Sequence, residues 1–352
     1  MNQTRIRFLK TGPLLIGISV LSACALKTPP DTEALRQQQV PALVGHAAWV
    51  APTPEAVAAV NDGWVAGFND AELNRLVAEA IANNRDLMRA SARVEQSRAL
   101  AVMNGAQLYP SVAAQGVVGD TDTQMLRLGA VWEIDFWGRV RSQARAAKSQ
   151  YQASQSEYRW AEQSLAASVA NSWFSLIEMN RIIERSEQVI AAQEGLLKIA
   201  KQRTKTGISP ETDIEEADSA LRGLRVDLTA MQLARTQAIQ GLEVLLGRYP
   251  ADALRTAQDL PALSPVPVDV PANLLERRPD LVAAEQRVAA AFDLKQSADA
   301  ARLPTISISA AITDISSDVF LINSANLPIS GGSLSVLAPV LSGGYLNAQA
   351  QY

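Results

Sequence analysis

The sequence predicts a mixed α and β fold, in which long coiled α-helices and two β-hairpins recur through an internal duplication. Three observations carry this. A run from Gly138-Arg139 to about Thr206 is free of proline and nearly free of glycine, so nothing in it breaks a helix. Segments at 111–136 and 305–343 are strand-like and bordered by turn residues. Finally, NNRDLMRASARVEQSRALAVMNGAQLYPSV (83–112) is echoed by RRPDLVAAEQRVAAAFDLKQSADAARLPTI (277–306). Asp86-Leu87, Val94 and Pro110 match Asp280-Leu281, Val288 and Pro304, always 194 residues apart. Four ungapped anchors indicate a duplicated unit.

The N-terminus has the layout of a bacterial export signal over residues 1–23. Arg5, Arg7 and Lys10 precede a short apolar stretch, Thr11 to Ala23, and the small residues Ser22 and Ala23 precede Cys24. The stretch is shorter than the about 20 residues a spanning helix needs. Cys24 is the only cysteine, so an internal disulfide is excluded. It is either a lipid attachment point or an ordinary cysteine beside a signal peptide.

Residues 24–70 form an irregular, proline-rich arm ending where Asn69 or Asp70 can cap a helix. Leu73, Leu76, Val77, Ala80, Ile81, Leu87, Met88 and Val94 give helical periodicity from 71 to about 107, stopped by Tyr109-Pro110. A β-hairpin follows over 111–136. The helix at 139–206 rises on the order of 100 Å, and a return helix at 211–246 on the order of 54 Å. Between them lies the turn TGISPETD (206–213), and Gly247 with Tyr249-Pro250 ends the return. Residues 250–273 are a proline-rich crossing. The second repeat, 274–352, has a helix at 279–302 and a hairpin at 305–343, and is expected to be incomplete because it lacks its own long and return helices. The lengths suggest a long helix packed against two shorter ones laid end to end. Frequent polar interruptions argue for coiled packing over a dry globular core. In TISISAAI (305–312), Thr305, Ser307 and Ser309 alternate with Ile306 and Ile308. That suits a barrel strand with a polar interior, and also a half-buried strand of a soluble sheet.

Composition narrows the function. The chain is 48% apolar but 5% aromatic, with a formal charge of −4 and no basic cluster, which argues against nucleic acid as a partner. His46 is the only histidine and lies in the irregular arm, so no histidine cluster is available for metal or general-base chemistry. The chain does not read as an enzyme, and no metal or diffusible cofactor is expected.

Several segments, in this order, resemble one family. These are WVAGFNDAELNRLVAEAIANNRDL (64–87), LGAVWEIDFWGRVR (128–141), TGISPETDIEEADSAL (206–221), LEVLLGRYP (242–250) and LLERRPDLVAAEQRVAAA (274–291). They are similar to the TolC-like outer-membrane efflux factors, in particular the lipoprotein branch of the OprM/NodT type. Leu-Ser-Ala-Cys (21–24) likewise resembles a lipobox. The resemblance implies a homotrimer whose helices form a periplasmic α-barrel and whose hairpins build a shared transmembrane β-barrel of twelve strands. It implies diacylglycerol and an N-acyl chain on Cys24, with Ala25 directing the protein to the outer membrane. A periplasmic adaptor and an inner-membrane pump are the implied partners, beside membrane lipid. The duct itself would be passive. The missing helices of the second repeat and the short first hairpin depart from the family pattern. The alternatives are therefore a truncated, inactive channel fragment or a lipid-anchored coiled-coil scaffold without a pore.

The candidate sites follow from this. Gly207 permits the tip turn, and Gly207, Ile208 and Ser209 are expected to meet the adaptor. Asp213, Glu215 and Glu216 either gate or select at the tip, as acidic rings do in pores, or simply favour a helix N-terminus. Ser209-Pro210 at the start of the return helix would fit the second reading. Trp132 and Trp137 either mark a membrane interface or pack internally.

Overall fold

A computed structural model describes residues 63–119, 124–255, 260–261, 277–317, 322–323 and 329–351. Cys24, His46, the export signal and most of the proline-rich arm lie outside them.

The last stretch of the arm is not irregular. Trp64–Phe68 forms a 3-10 helix, with Val65 buried and Phe68 edge-on to Phe174. Asn69 then turns left-handed, at φ 53°, and Asp70 caps α1 (Ala71–Asn83). The single helix expected over 71–107 is two, α1 and α2 (Arg85–Ala106). Asn84 parts them by adopting an extended backbone. Its Oδ1 accepts the N–H groups of Asp86 and Leu87, so it caps α2, while its Nδ2 donates to the Leu245 carbonyl at 2.9 Å. The carboxamide supplies the partners that a helix start otherwise lacks.

The long helix α3 runs Arg139–Lys205 and the return helix α4 Thr212–Leu245. Asp135 opens α3, its Oδ1 accepting from the Val140 N–H and its Oδ2 from that of Arg141. Three strands and two helices complete the order with β1 (Ser111–Val118) and β2 (Gln124–Ile134): α5 (Pro279–Ala300), β3 (Thr305–Ser317), β4 (Ile322–Asn323), β5 (Ile329–Leu337) and α6 (Tyr345–Gln351). The second hairpin's final strand thus stops at Leu337, short of 343. Val340 and Leu341 beyond it are almost fully exposed, and Gly343 and Gly344 both take positive φ.

The duplication extends to the backbone where helix passes to strand. Helices α2 and α5 end at Ala106 and Ala300, and β1 and β3 start at Ser111 and Thr305, again 194 apart. Gly138 and Gly344 both adopt positive φ, 78° and 87°, and each is followed at once by a helix.

Two compact units divide the described residues. One contains Val94–Ser156 and the residues from Asp280 onward. Its sheet runs β1-β2-β3, all antiparallel, with β4 and β5 on the far side of β3. The inner strands of the two repeats therefore pair with each other, leaving β1 and β5 as outer edges. In the same unit Ser97 and Ser154 join α2 to α3 at 2.8 Å, and Arg145 reaches the buried Asp293 of α5 at 2.8 Å.

The other unit holds residues 63–93 and Glu157–Pro279. Against the expectation of coiled packing throughout, it has a dry core. Leu73, Leu76 and Ala80 of α1, Val169, Trp173, Leu176 and Ile177 of α3, and Ile239, Leu242 and Leu246 at the end of α4 are all buried. The polar residues of these helices fall on their other faces, because a 3.6-residue period needs only part of the circumference to be apolar. Further along, Arg225 pairs with Glu194 at 2.6 Å and Gln193 donates to the Ala217 carbonyl, stitching α3 to α4 toward the turn.

Candidate functional site: a two-faced sheet and a helical hairpin tip

Strand register sorts the sheet residues into two faces, since paired residues share a face and neighbours along a strand alternate. On one face stand Val112, Leu126, Leu128, Trp132, Ile308, Ile312, Leu334 and Val336, with Gln124, Asp314 and Ser330 toward its far end. They are uncovered: Leu128 and Ile312 remain 52% and 53% exposed. The opposite face carries Gln115, Arg127, Ser307, Ser309, Thr313, Ser333 and Ser335 in its middle, with Val117, Met125, Val131, Ile315, Ile329 and Leu337 among them and toward its ends, and its Ser309 and Ser333 hydroxyls meet at 2.7 Å. An apolar face left to solvent would be costly in water, at roughly 25 cal/mol per Å². It is the pattern of a strand set that faces lipid outside and water within. The long strands have 8, 11, 13 and 9 residues, close to the about 9–11 that cross a bilayer when tilted. No helix among the described residues is long and apolar enough to cross a membrane.

Trp132 sits on the apolar face near the end of β2 and donates its indole N–H to the Leu108 carbonyl at 3.1 Å. Trp137 lies beyond the strand, half-buried, with its N–H on the Pro304 carbonyl at 2.6 Å. Between them, Glu133 holds Arg139 through two bonds, 3.0 and 2.7 Å. The two tryptophans are thus bonded at the points where helix passes to strand in repeats one and two.

At the tip, α3 ends in a Schellman turn. The Gly207 N–H donates to the Thr204 carbonyl at 3.0 Å and the Ile208 N–H to that of Arg203 at 2.9 Å. Gly207 takes φ 78°, which side-chain-bearing residues disfavour. Ile208 is 67% exposed and Ser209 half-buried. The return helix starts at Thr212, one residue later than expected, and Ser209-Pro210 does not open it. Instead Glu211 is the cap residue, with no side-chain cap bond. Pro210 precedes it and accepts the Asp213 N–H at 3.3 Å. Asp213, Glu215 and Glu216 all point to solvent within the first turns of α4. The structure therefore brings Gly207, Ile208, Ser209 and the three acids to one tip, and places Trp132 and Trp137 in the other unit.

The group that holds the far end of α4 has no signature in the sequence. Gly247 repeats the Schellman turn, its N–H bonding to the Val244 carbonyl and that of Arg248 to Glu243. Arg248 then clamps Glu79 of α1, with its Nη2 at 2.7 Å from Oε2. This bond, with help from Arg75, holds the Glu79 carboxyl below its usual range. Glu243 is buried in the same place. Burial works against its charge, but the N–H groups of Ala251, Asp252 and Ala253 donate to it at 2.7, 3.0 and 2.9 Å. Those bonds prevail and its carboxyl titrates below the ordinary value. A glutamate eight residues before an alanine-rich loop carries no recognisable spacing.

Residues 76–248 match the family of outer membrane efflux proteins. The chain is 29% identical to a probable efflux pump outer membrane protein, TtgC of Pseudomonas putida, over 96% of its own length and 73% of the relative's. It is 30% identical to the toluene efflux pump outer membrane protein TtgF of the same species, over 86% of its own length and 67% of the relative's. Among solved structures, the outer-membrane channel OprN shares the fold, with a TM-score of 0.79 at 24% identity, covering 93% of this chain and 75% of that one. The two-faced sheet, the duplicated hairpins and these matches agree: the chain belongs to the outer membrane efflux protein family, whose members are the outer-membrane channel components of efflux pumps.

Proposed function

We propose that this chain works as a homotrimeric, passive exit duct for small molecules in a tripartite efflux system. The observation that carries the reading is the sheet: predominantly apolar on one face, with hydroxyls and Arg127 along the middle of the other, and with outer edges at β1 and β5 that no described strand covers. Neighbouring copies that join β1 to β5 complete the missing ladder and remove both edges at once. The helical hairpin extends into the periplasm, and its tip at Gly207, Ile208 and Ser209 meets a periplasmic adaptor that links the duct to an inner-membrane pump. Asp213, Glu215 and Glu216 line that end and set its preference for cations. Trp132 and Trp137 mark the periplasmic interface of the outer membrane. The duct performs no chemical turnover, and its only covalent group is the diacylglycerol and N-acyl lipid on Cys24, which tethers the arm to the outer membrane.

Purified protein in a planar bilayer is expected to give discrete conductance steps and to run as a heat-modifiable trimer on gels. Neither steps nor trimer would sink the reading in favour of a scaffold without a pore. Cys24→Ser is expected to abolish labelling by radioactive palmitate while leaving trimers; loss of trimers together with the lipid would contradict a barrel that spans the membrane independently of its anchor.

A further inference from the structure

Resting on the duct reading, we propose that Arg127 forms the charge filter of the barrel, a three-fold ring that favours anionic solutes over cationic ones. Arg127 lies on the polar face of β2, paired across the sheet with Gln115 of β1 and Thr313 of β3. Around it the same face is uncharged: Gln115, Thr313 and Ile329 share its rung, Val117, Met125 and Ile315 form the rung beyond, and Ser307, Ser309, Ser333 and Ser335 carry hydroxyls only. The other charged strand residue on this face, Glu133, is neutralised by Arg139 at 2.7 Å. Arg127 is exposed and has no ion pair or hydrogen bond with another described residue. Its charge therefore stands uncompensated among the described residues of the polar face.

The next rung toward the strand bases leaves room for it. Ala113, Gly129, Ala311 and Gly331 stand side by side there, with nothing larger than a methyl group. A methyl placed on Gly129 would sit 3.8 Å from the Arg127 Nε, so the side chain lies over this flat rung. A guanidinium cannot shed its proton at any working pH. In a pore with low-dielectric walls, three such charges at one height concentrate anions and repel cations. The filter is opposite in sign to the acids at the helical tip, and the two lie in different units of the chain.

The test is the reversal potential of the channel in a planar bilayer under a KCl gradient, for wild type, R127K, R127Q and R127E. The chloride-to-potassium permeability ratio is expected to fall by roughly two- to threefold in R127Q and further in R127E, as removal and reversal of a charge within several Å of the ion path require. R127K, which keeps the charge, is expected to retain the wild-type ratio. The differences should shrink in 1 M salt, where the screening length is about 3 Å. Equal ratios in wild type and R127Q overturn the filter, whether or not R127E inserts. An absence of conductance in wild type overturns the duct and the filter together, so the two failures are distinguishable.

Discussion

Asp70 serves two partners with one carboxylate. Its Oδ1 accepts from the N–H groups of Glu72 and Leu73, both at 3.0 Å, and its Oδ2 accepts the indole N–H of the fully buried Trp173 at 2.7 Å. The cap was legible as a polar residue before a periodic apolar run. Its second role was not, because Trp173 lies 103 residues away in the sequence. Asp70→Asn keeps the cap oxygen but turns an amide donor toward the tryptophan donor. Asp70→Ala loses both bonds. Thermal melts in detergent, followed by circular dichroism, are expected to rank wild type above D70N and D70N above D70A. The first step should be about 1–3 kcal/mol and the second about 1 kcal/mol more, the worth of a cap. Equal melting of D70N and wild type would show that the tryptophan bond contributes nothing.

Glycine gives a second contrast among single residues. Gly207 and Gly247 hold the same turn with the same backbone, φ 78° and 75°. A methyl on Gly207 meets open space, whereas one on Gly247 would lie 2.4 Å from the Asn83 carbonyl oxygen. Gly207→Ala should therefore cost about 1–2 kcal/mol of backbone strain. Gly247→Ala adds a collision with backbone that cannot step aside, and should lower the melting midpoint well beyond that.

At the scale of elements, the long helix was the most legible part. Sixty-seven residues without proline leave a helix uninterrupted over α3, and its observed limits are Arg139 and Lys205. The break at Asn84 was hidden because the apolar period runs on through it. What decides the break is a bond to the Leu245 carbonyl, 161 residues distant. The loop after α4 was equally opaque: proline marks where a helix stops but not what holds the chain afterwards. Glu243 does so here, and it makes the loop sensitive to acid. Its folded carboxyl titrates below the ordinary 4.5. The stabilisation is therefore complete above about that pH and is lost as the pH falls through the lower, folded value. Hydrogen-exchange protection of Ala251, Asp252 and Ala253 is expected to collapse in acid. In Glu243→Gln it should already be low at pH 7 and change little on acidification. Strong protection in that variant at pH 7 would show that the loop does not depend on the carboxylate.

At the scale of the whole molecule, the duplication and the class of fold could be read from four anchors and a helix length. The two faces of the sheet could be read only in part. TISISAAI shows its alternation plainly, but β2 mixes Arg127, Gly129 and Val131 on one face, so its polarity emerges only when register sets it beside β1 and β3. Register also shows why the two repeats are not interchangeable. Their inner strands are already satisfied by each other, through eleven paired positions between β2 and β3. Only β1 and β5 remain to recruit a neighbour. Proline at Ala114 or Leu334, whose N–H groups face away from β2 and β3, is expected to reduce the yield of trimer on gels by removing an edge donor.

Those two edges also have a genetic consequence. Each copy must offer β1 to one neighbour and β5 to the other, so a ring closes only if every member has both. A protomer spoiled at one edge but sound at the other still enters assembly and halts it. Expressed at equal levels beside a normal copy, such an allele leaves roughly one ring in eight free of it. Edge lesions in this protein should therefore behave as dominant, whereas lesions that unfold the core before assembly should be recessive.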